Sequence, residues 1–224
     1  MQGKWHLFVS EITQGCGLFY WDRNSQCTHA VADSIEGPYE KQDVALPVWA
    51  HSCRAFRDRQ TGSWLLFHVG EGVPGNGGGM VNCTHNASHP PLIAQRRGRA
   101  TGLTSGYLHN ASSPSGPWTP VVPLGWNFPN STEPGARLLP ALCGDPAPWQ
   151  HDDGSWSMVC DIFPDDFYVA TAPHYSGPWT IGHSMGSCDE ANPTGIEPNP
   201  KPWDTWLHCV SAAAAALLLL CQVQ

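Results

Sequence analysis

The sequence predicts an all-β fold, because its composition interrupts regular elements at short intervals. The 224 residues include 23 Gly and 21 Pro, which break helices and strands into short pieces. Trp contributes 11 residues, several times its usual share, and aromatic side chains favour strands. With 41% hydrophobic residues the chain has enough apolar side chains for a packed core. Short strands joined by many turns are therefore expected.

The charge balance excludes a nucleic-acid partner. Lys and Arg number 11 against 19 Asp and Glu, which gives a net charge of −8. A phosphate-binding surface needs clustered basic side chains, and the single basic cluster, at residues 96–99, is interpreted as a solvated loop. Many aromatic rings with few charges suit a neutral, polar ligand that stacks on rings, as a sugar does.

A pattern of glycine, any residue and tryptophan opens three segments of the chain. The copies begin at Gly3, Gly62 and Gly154, and each continues as an apolar run that predicts a strand. The second and third copies follow acidic turn residues, at 58–61 and 152–153. Acidic residues before a turn glycine are typical of a β-hairpin.

A second pattern, glycine and proline followed by an aromatic residue, comes after each of these strands. It closes the segments 32–39, 111–118 and 172–179, so the two patterns occur three times in a fixed order. A unit of roughly 60 residues with several short strands indicates a propeller blade. The longer second spacing predicts an insertion between Gly70 and Gly106. The alternative is a β-sandwich in which the turn motifs recur by chance.

The nine cysteines predict disulfide bonds, because no two of them form a C-x-x-C pair of the kind that zinc ribbons use. The odd number leaves at least one thiol without a partner in the chain. A Cys/His metal site formed by the pairs Cys27/His29 and Cys83/His85 is the less favoured alternative.

Four N-glycosylation sequons favour an extracellular or secretory glycoprotein, although no signal peptide follows Met1. The sequons are at Asn82, Asn86, Asn110 and Asn130.

The C-terminal segment differs in character from the rest of the chain. We expect residues 1–209 to form the propeller and residues 210–224 to lie outside it as an apolar tail. The apolar run is shorter than the roughly 20 residues that a membrane-spanning helix needs. It is interpreted as a short helix or a disordered tail, with membrane anchoring as a less favoured alternative.

Three stretches of the sequence resemble the five-bladed propeller glycosidases of glycoside hydrolase family 43 and their arabinanase, xylosidase and invertase-like relatives. The first runs from Trp21 to Ala30 and on to Gly37-Pro38-Tyr39. The second is Gly144-Asp-Pro-Ala-Pro-Trp-Gln-His-Asp-Asp-Gly154, and the third is the repeated Gly-Pro-Trp turn. The resemblance implies a partial five-bladed propeller with three clear blades and part of a fourth.

The resemblance also implies a substrate and a mechanism. The family hydrolyses polysaccharides of the arabinan or xylan type with inversion, using one carboxylate as general base, a carboxylic acid as general acid, and a second Asp that adjusts the acid. No cofactor is required, although the resemblance implies that a bound Ca²⁺ near the channel is compatible with the fold.

Residue by residue, Asp145 matches the modulating Asp and Glu197 is the candidate general acid. His51 and Trp149 are the candidate substrate contacts. The counterpart of Asp145 in the first repeat would precede Met1, so we expect the catalytic base to be absent from this chain. Enzymatic activity is therefore left open, and the alternative is a non-catalytic carbohydrate-binding or truncated propeller.

Overall fold

A computed structural model describes residues 3–70, 80–83, 106–121, 126–127, 144–162 and 166–187. Within these ranges the chain is all-β apart from two helical turns, as the composition predicts, and its strands form three sheets. No helix in the described ranges has the length and apolar character needed to cross a membrane. The predicted part of a fourth blade and the tail at 210–224 lie outside the described residues.

Each sheet is a run of neighbouring antiparallel strands. The first contains β1 (Trp5–Ile12), β2 (Ser25–Ala32) and β3 (Glu40–Leu46), with a 3₁₀ turn (Leu18–Tyr20) and the one-turn helix α1 (Trp21–Asn24) between β1 and β2. The second contains β4 (His51–Arg57), β5 (Trp64–Val69), β6 (Gly106–Ala111) and β7 (Thr119–Val121). The third contains β9 (Gly144–Gln150), β10 (Trp156–Ile162), β11 (Asp166–Ala172) and β12 (Trp179–Ser187), with β8 (Trp126–Asn127) parallel to β12 at its outer edge.

The strand register shows that the three repeats predicted from the sequence are the same structural unit. In each sheet the Trp of the first pattern pairs with the Ala that begins the second pattern: Trp5 with Ala32, Trp64 with Ala111, and Trp156 with Ala172. The strands β1, β5 and β10 are therefore equivalent. In the second and third sheets an inner strand, β4 or β9, precedes this position, whereas the described part of the first sheet begins at β1.

The glycine-proline turns also share one conformation. Gly37, Gly116 and Gly177 have φ of 86°, 84° and 88°, and the proline that follows each is cis. The N–H of each glycine donates to the carbonyl three residues earlier, at 2.9 to 3.0 Å. Since a φ near +85° is strained for other residues, the repeated glycine is explained by this turn.

Buried aromatic and aliphatic side chains fill the space between the second and third sheets. Phe67 of β5 contacts Trp156 and Trp179, with ring centroids 5.9 and 6.4 Å apart, and all three side chains are buried. The seam between the first and second sheets is formed by Cys27, Leu46, Ala50, Cys53 and Leu66. The chain is thus part of a propeller, in which three sheets pack face to face around an axis next to β4 and β9.

Polar contacts also join the second and third sheets at the end where β4 and β9 finish. Arg59, in the turn after β4, donates through its guanidinium to the carbonyl of Gln150 at 2.5 Å and to Asp152 at 3.1 Å. The amide of Gln150 donates to the buried Asp58 at 2.6 Å. These contacts fix the two inner strands relative to each other.

The predicted insertion connects β5 to β6, and its described part crosses to the first sheet. A disulfide joins Cys83 to Cys16, and the backbone N–H of Cys83 donates to the carbonyl of Gln14 at 3.0 Å. The buried Asn24 donates to the carbonyl of Val81 at 2.7 Å and accepts from its N–H at 3.1 Å. The predicted disulfide chemistry is confirmed here. The alternative metal site that used Cys83 is wrong, because its sulfur is bonded to Cys16.

Candidate functional site

The candidate site lies at the end of the propeller axis where the inner strands β4 and β9 begin. Both strands are edge strands of their sheets on the axial side. An edge strand tolerates proline, which explains why β9 accommodates Pro146 and Pro148. Side chains far apart in sequence meet here, because inner strands of neighbouring blades converge on the axis.

A bulge at the same place in β4 and β9 makes Ser52 the structural counterpart of Asp145. Arg57 and Gln150 pair with the equivalent tryptophans of β5 and β10, and the ladders then shift register so that His51 pairs with Val69 and Gly144 with Asp161. Counting between these pairs places Ser52 and Asp145 at one position.

The backbone at this position is unusual in both strands. Ser52 has φ of 53° and Asp145 has φ of 41°, and they are two of the three non-glycine residues with positive φ in the described ranges. Such conformations are uncommon outside glycine and persist where the surrounding structure holds them. The bulge turns both side chains toward each other.

Ser52 and Asp145 are joined by a hydrogen bond in which the Ser52 hydroxyl donates to Asp145 Oδ1. The bond spans the second and third sheets, and both side chains are half-buried. A carboxylate held by a neighbouring hydroxyl has a fixed orientation and one remaining oxygen for a ligand. Asp145 can therefore accept hydrogen bonds from a polar ligand at the axis.

His51 adds a neutral polar group beside this pair. Burial lowers its pKa, a shift that the nearby Asp145 opposes and Arg54 reinforces. Its Nδ1 lies 2.8 Å from the Oγ of the fully buried Ser25, whose backbone carbonyl accepts from the N–H of Ala50 at 2.9 Å. The imidazole is thus uncharged near neutral pH and fixed in orientation from one side.

An aromatic surface borders His51. The ring of Trp21, in α1, lies 5.1 Å from the ring of His51 and 5.6 Å from that of Trp49. Trp49 is buried and Trp21 is half-buried, so Trp21 offers the accessible ring. A partly exposed indole next to hydrogen-bonding groups suits the apolar face and the hydroxyls of a sugar ring.

The structure brings together two of the four predicted site residues. Asp145 and His51 lie at the starts of β9 and β4, on neighbouring blades. Trp149 is four residues further along β9, about 13 Å along the strand, where its ring contacts His151 at a centroid distance of 6.0 Å. Glu197 lies outside the described residues, so its predicted role as general acid stays a prediction.

Sequence reasoning missed Trp21, Ser25 and Ser52. The stretch that contains Trp21 and Ser25 resembles a family strand, but no pattern in it identifies these two residues as parts of a site. Spacing from the turn glycines brings residues 50–53 to the position of Asp145 and favours His51 there, whereas the bulge shows that Ser52 is the counterpart.

Glu11 is a further carboxylate, but its surroundings do not suit a general acid. It accepts hydrogen bonds from Lys41 at 2.7 Å, from Gln26 at 2.9 Å and from Thr28. The bonds from Lys41, Thr28 and Gln26, in that order of effect, lower its pKa to about 2. Glu11 is therefore ionised throughout the physiological range.

A metal site is not apparent in the described ranges, which hold no group of three or more His, Cys, Asp or Glu side chains placed to bind an ion. The implied Ca²⁺ therefore has no location in the part of the chain that the structure describes, and no step of the chemistry below depends on it.

Comparisons with known proteins show the fold. No family model and no curated protein matches the chain. A family 117 glycoside hydrolase from the marine bacterium Zobellia galactanivorans is similar in structure, with a TM-score of 0.51 and 15% identity over 81% of this chain and 52% of that one. A family 43 β-xylosidase/α-arabinofuranosidase from a compost metagenome, in complex with xylotriose and in a calcium-free form, has a TM-score of 0.50 and 15% identity, over 83% of this chain and 54% of that one.

A family 43 β-1,3-galactosidase with bound galactodeoxynojirimycin is also similar, with a TM-score of 0.52 and 10% identity over 77% of this chain and 55% of that one. The chain thus spans about half the length of these structures. The fold is that of the family 43 and family 117 glycoside hydrolase propellers, which confirms the resemblance at the level of the fold.

Proposed function

We propose that this chain is a carbohydrate-active propeller, which binds an oligo- or polysaccharide across the end of the axis where β4 and β9 begin. The observation that carries the proposal is the group formed by Asp145, Ser52 and His51 beside the ring of Trp21. A fixed carboxylate, a neutral imidazole and an indole face can hold the hydroxyls and the apolar face of one sugar unit. The fold supports the proposal, since the similar structures are glycoside hydrolases.

The reaction we propose is glycoside hydrolysis with inversion on a polysaccharide of the arabinan or xylan type. Such hydrolysis needs a general acid and a general base roughly 6.5 to 9.5 Å apart. In this scheme Asp145 acts neither as the general acid nor as the general base. It orients the acid, for which Glu197 is the candidate, and its negative charge keeps that acid protonated to a higher pH.

A second candidate function, sugar binding without catalysis, is favoured by one observation. Among the side chains that the structure describes, Asp145 is the carboxylate that contacts this group, and its counterpart in the preceding blade is the hydroxyl of Ser52. Without a positioned base, general-base catalysis is lost, a factor of roughly 10² to 10⁴ in rate.

The two functions are separated by measuring binding and turnover on the same protein. Binding of xylo- and arabino-oligosaccharides is followed by calorimetry and by Trp fluorescence, and turnover by release of nitrophenol from xyloside and arabinofuranoside substrates. Asp145→Asn is the test variant. Asp152→Asn is the control, since its side chain is fully exposed at the opposite end of the inner strands.

Three outcomes are distinguishable. Turnover that Asp145→Asn abolishes and Asp152→Asn leaves intact supports hydrolysis. Binding without turnover in the unmodified chain, weakened by Asp145→Asn, supports the second candidate. If the unmodified chain binds none of the oligosaccharides, both candidates are rejected.

We also propose an extracellular or secretory location for this function. The disulfide between Cys16 and Cys83 supports it, because such bonds persist in oxidising compartments. The neighbouring Asn82 is exposed and begins a sequon. Treatment of the native protein with peptide-N-glycosidase should lower its mass, and an unchanged mass in protein from a glycosylating host would contradict glycosylation.

A further inference from the structure

Two thiols face each other across the seam between the first and second sheets. Cys27 lies in the middle of β2 and Cys53 near the start of β4, and both side chains are buried. They belong to one packed cluster with Leu46, Ala50 and Leu66, which places the two thiols in the same buried seam. Neither cysteine is in a disulfide.

The backbone next to the thiols is fixed across the same seam. Ser25, two residues before Cys27, accepts a hydrogen bond from the N–H of Ala50 at 2.9 Å and contacts His51 at 2.8 Å. His51 is two residues before Cys53. Each thiol is therefore two residues along its chain from one partner of the contact that orients the imidazole of the candidate site.

We propose that Cys27 and Cys53 are joined by a disulfide in the oxidised protein, which clamps the first sheet to the second beneath the candidate site. The oxidant is a disulfide, either oxidised glutathione or a protein dithiol oxidase. The thiolate of one cysteine attacks it, releasing one thiol and forming a mixed disulfide. The second thiolate then attacks the mixed disulfide and releases the other thiol, so that two protons and two electrons leave the pair.

The bond forms while the chain folds. In the folded chain, burial and the neighbouring Cys53 raise the pKa of the Cys27 thiol far above its ordinary value, so the reactive thiolate is scarce. The seam also closes the pair off from an external oxidant. Protein that folds under reducing conditions therefore keeps both thiols, whereas protein that folds with an oxidant present carries the bond.

Trypsin digestion tests the proposal without ambiguity. Cleavage after Arg23, Lys41 and Arg54 places Cys27 in the peptide 24–41 and Cys53 in the peptide 42–54, and neither peptide contains another cysteine. Denatured, reduced protein is refolded in a mixture of reduced and oxidised glutathione, alkylated, digested without reduction and analysed by mass spectrometry. We expect the two peptides to be found mainly as one linked species. Recovery of both as separate alkylated peptides would overturn the proposal.

Two variants and one kinetic measurement complete the test. The linked species should be absent from Cys53→Ala and retained in a variant carrying both Cys16→Ala and Cys83→Ala, which removes a different disulfide. Protein first folded in reductant and then given oxidised glutathione should acquire the bond far more slowly than protein refolded in its presence. Equal rates would contradict the inferred order of folding and oxidation. If Cys53→Ala fails to fold, the peptide map of the unmodified chain still shows whether Cys27 and Cys53 are linked.

Discussion

Buried histidines form a pair between β5 and β6 that the candidate chemistry does not use. His68 Nε2 lies 2.8 Å from His109 Nδ1, and both side chains are buried. Burial, reinforced by His109, lowers the pKa of His68 to about 3, and burial lowers that of His109 to about 4. Burial disfavours the charged form of both imidazoles in the folded chain, so this pair makes stability depend on pH.

We predict that the free energy of unfolding falls between pH 7 and pH 5. The pKa of each histidine is near 6.5 in the unfolded chain and lower in the folded one. The unfolded state therefore takes up protons first, and the stability present above pH 6.5 is lost as the pH falls toward 4. Between pH 7 and pH 5, His68 alone lowers the free energy of unfolding by about 2 kcal/mol. Urea denaturation at pH 7, 6 and 5 measures it.

Glu11 does not interfere with that measurement. Its pKa is lowered in the folded state, so its contribution to stability is complete above pH 4.5 and is lost only as the pH falls toward 2. Replacing His68 and His109 together by Leu should reduce the pH 7 to pH 5 difference, whereas His174→Gln, in an exterior turn, should not. A difference that survives loss of the pair would assign the effect to other groups.

Ser52 provides a second prediction at the scale of one side chain. Ser52→Ala removes the donor to Asp145 Oδ1 and frees the carboxylate to rotate. We expect oligosaccharide affinity to drop roughly 10-fold, the loss of about one hydrogen bond to a charged group. Calorimetry on the folded variant measures the change.

The matched control for Ser52→Ala is Ser157→Ala. The hydroxyl of Ser157 is hydrogen-bonded to His151 Nε2 at 2.7 Å, near the opposite end of the third sheet. This variant also loses one side-chain hydrogen bond, but it should leave affinity unchanged. Equal losses in both variants would mean that Ser52 acts through stability and not through the site.

At the scale of the strand, β5 is followed directly by Gly70, which packs against Trp49 next to the candidate site. Gly70 has φ of 90°, and a Cβ there would lie 2.6 Å from both the ring and the carbonyl oxygen of Trp49. Trp49 supports the ring of Trp21. The close approach of Gly70 therefore positions the aromatic surface of the site.

We predict that Gly70→Ala destabilises the chain more than Gly3→Ala does. Both positions have positive φ, so both variants carry backbone strain of about 1 to 2 kcal/mol. Only Gly70→Ala adds the clash with Trp49, because nothing lies within 4 Å of a Cβ at Gly3. Chemical denaturation compares the two variants, and Trp fluorescence reports the displaced indole. Equal destabilisation would show that Trp49 moves aside without cost.

The strands show how far the sequence determines the fold. The two patterns of each repeat and their order are predicted from the sequence, whereas the pairing of the Trp in the first with the Ala in the second is known only from the structure. The bulge that aligns Ser52 with Asp145 is not predictable in this way. A bulge forms where two residues of one strand pair with a single residue of the neighbouring strand. Its position therefore depends on the pairing of the two strands, and no residue type identifies it.

For the whole molecule, the outer surface of the first sheet is the least covered apolar region described. Trp5, Leu7 and Val9 alternate along β1 on the surface opposite the second sheet and are 48%, 39% and 39% exposed. The edge of β1 has no neighbouring strand in the described part of its sheet. An apolar row beside an open edge favours association between copies.

We predict concentration-dependent self-association that the combination of Leu7→Thr and Val9→Thr reduces. Threonine keeps the strand preference while removing apolar surface, so the thermal midpoint should change little. Light scattering over a concentration series measures the association. Leu18→Thr is the control, since Leu18 is 68% exposed but lies outside the row. An equal effect of the control would assign the association to general hydrophobicity.

The crossing of the insertion to the first sheet was also beyond prediction from sequence. Spacing located the insertion between β5 and β6, but its attachment depends on the pairing of Cys83 with Cys16 and on the amide of Asn24. Cysteine spacing alone does not define such a pairing.

This crossing limits how the protein can be divided or recombined. The repeats suggest modules that can be exchanged at the turn before β4, yet the second module contributes Val81, which satisfies the buried amide of Asn24 in the first. A chimera that replaced the second module would leave that amide without its partners and Cys16 without Cys83. The first two repeats therefore have to be exchanged together, because neither satisfies these groups on its own.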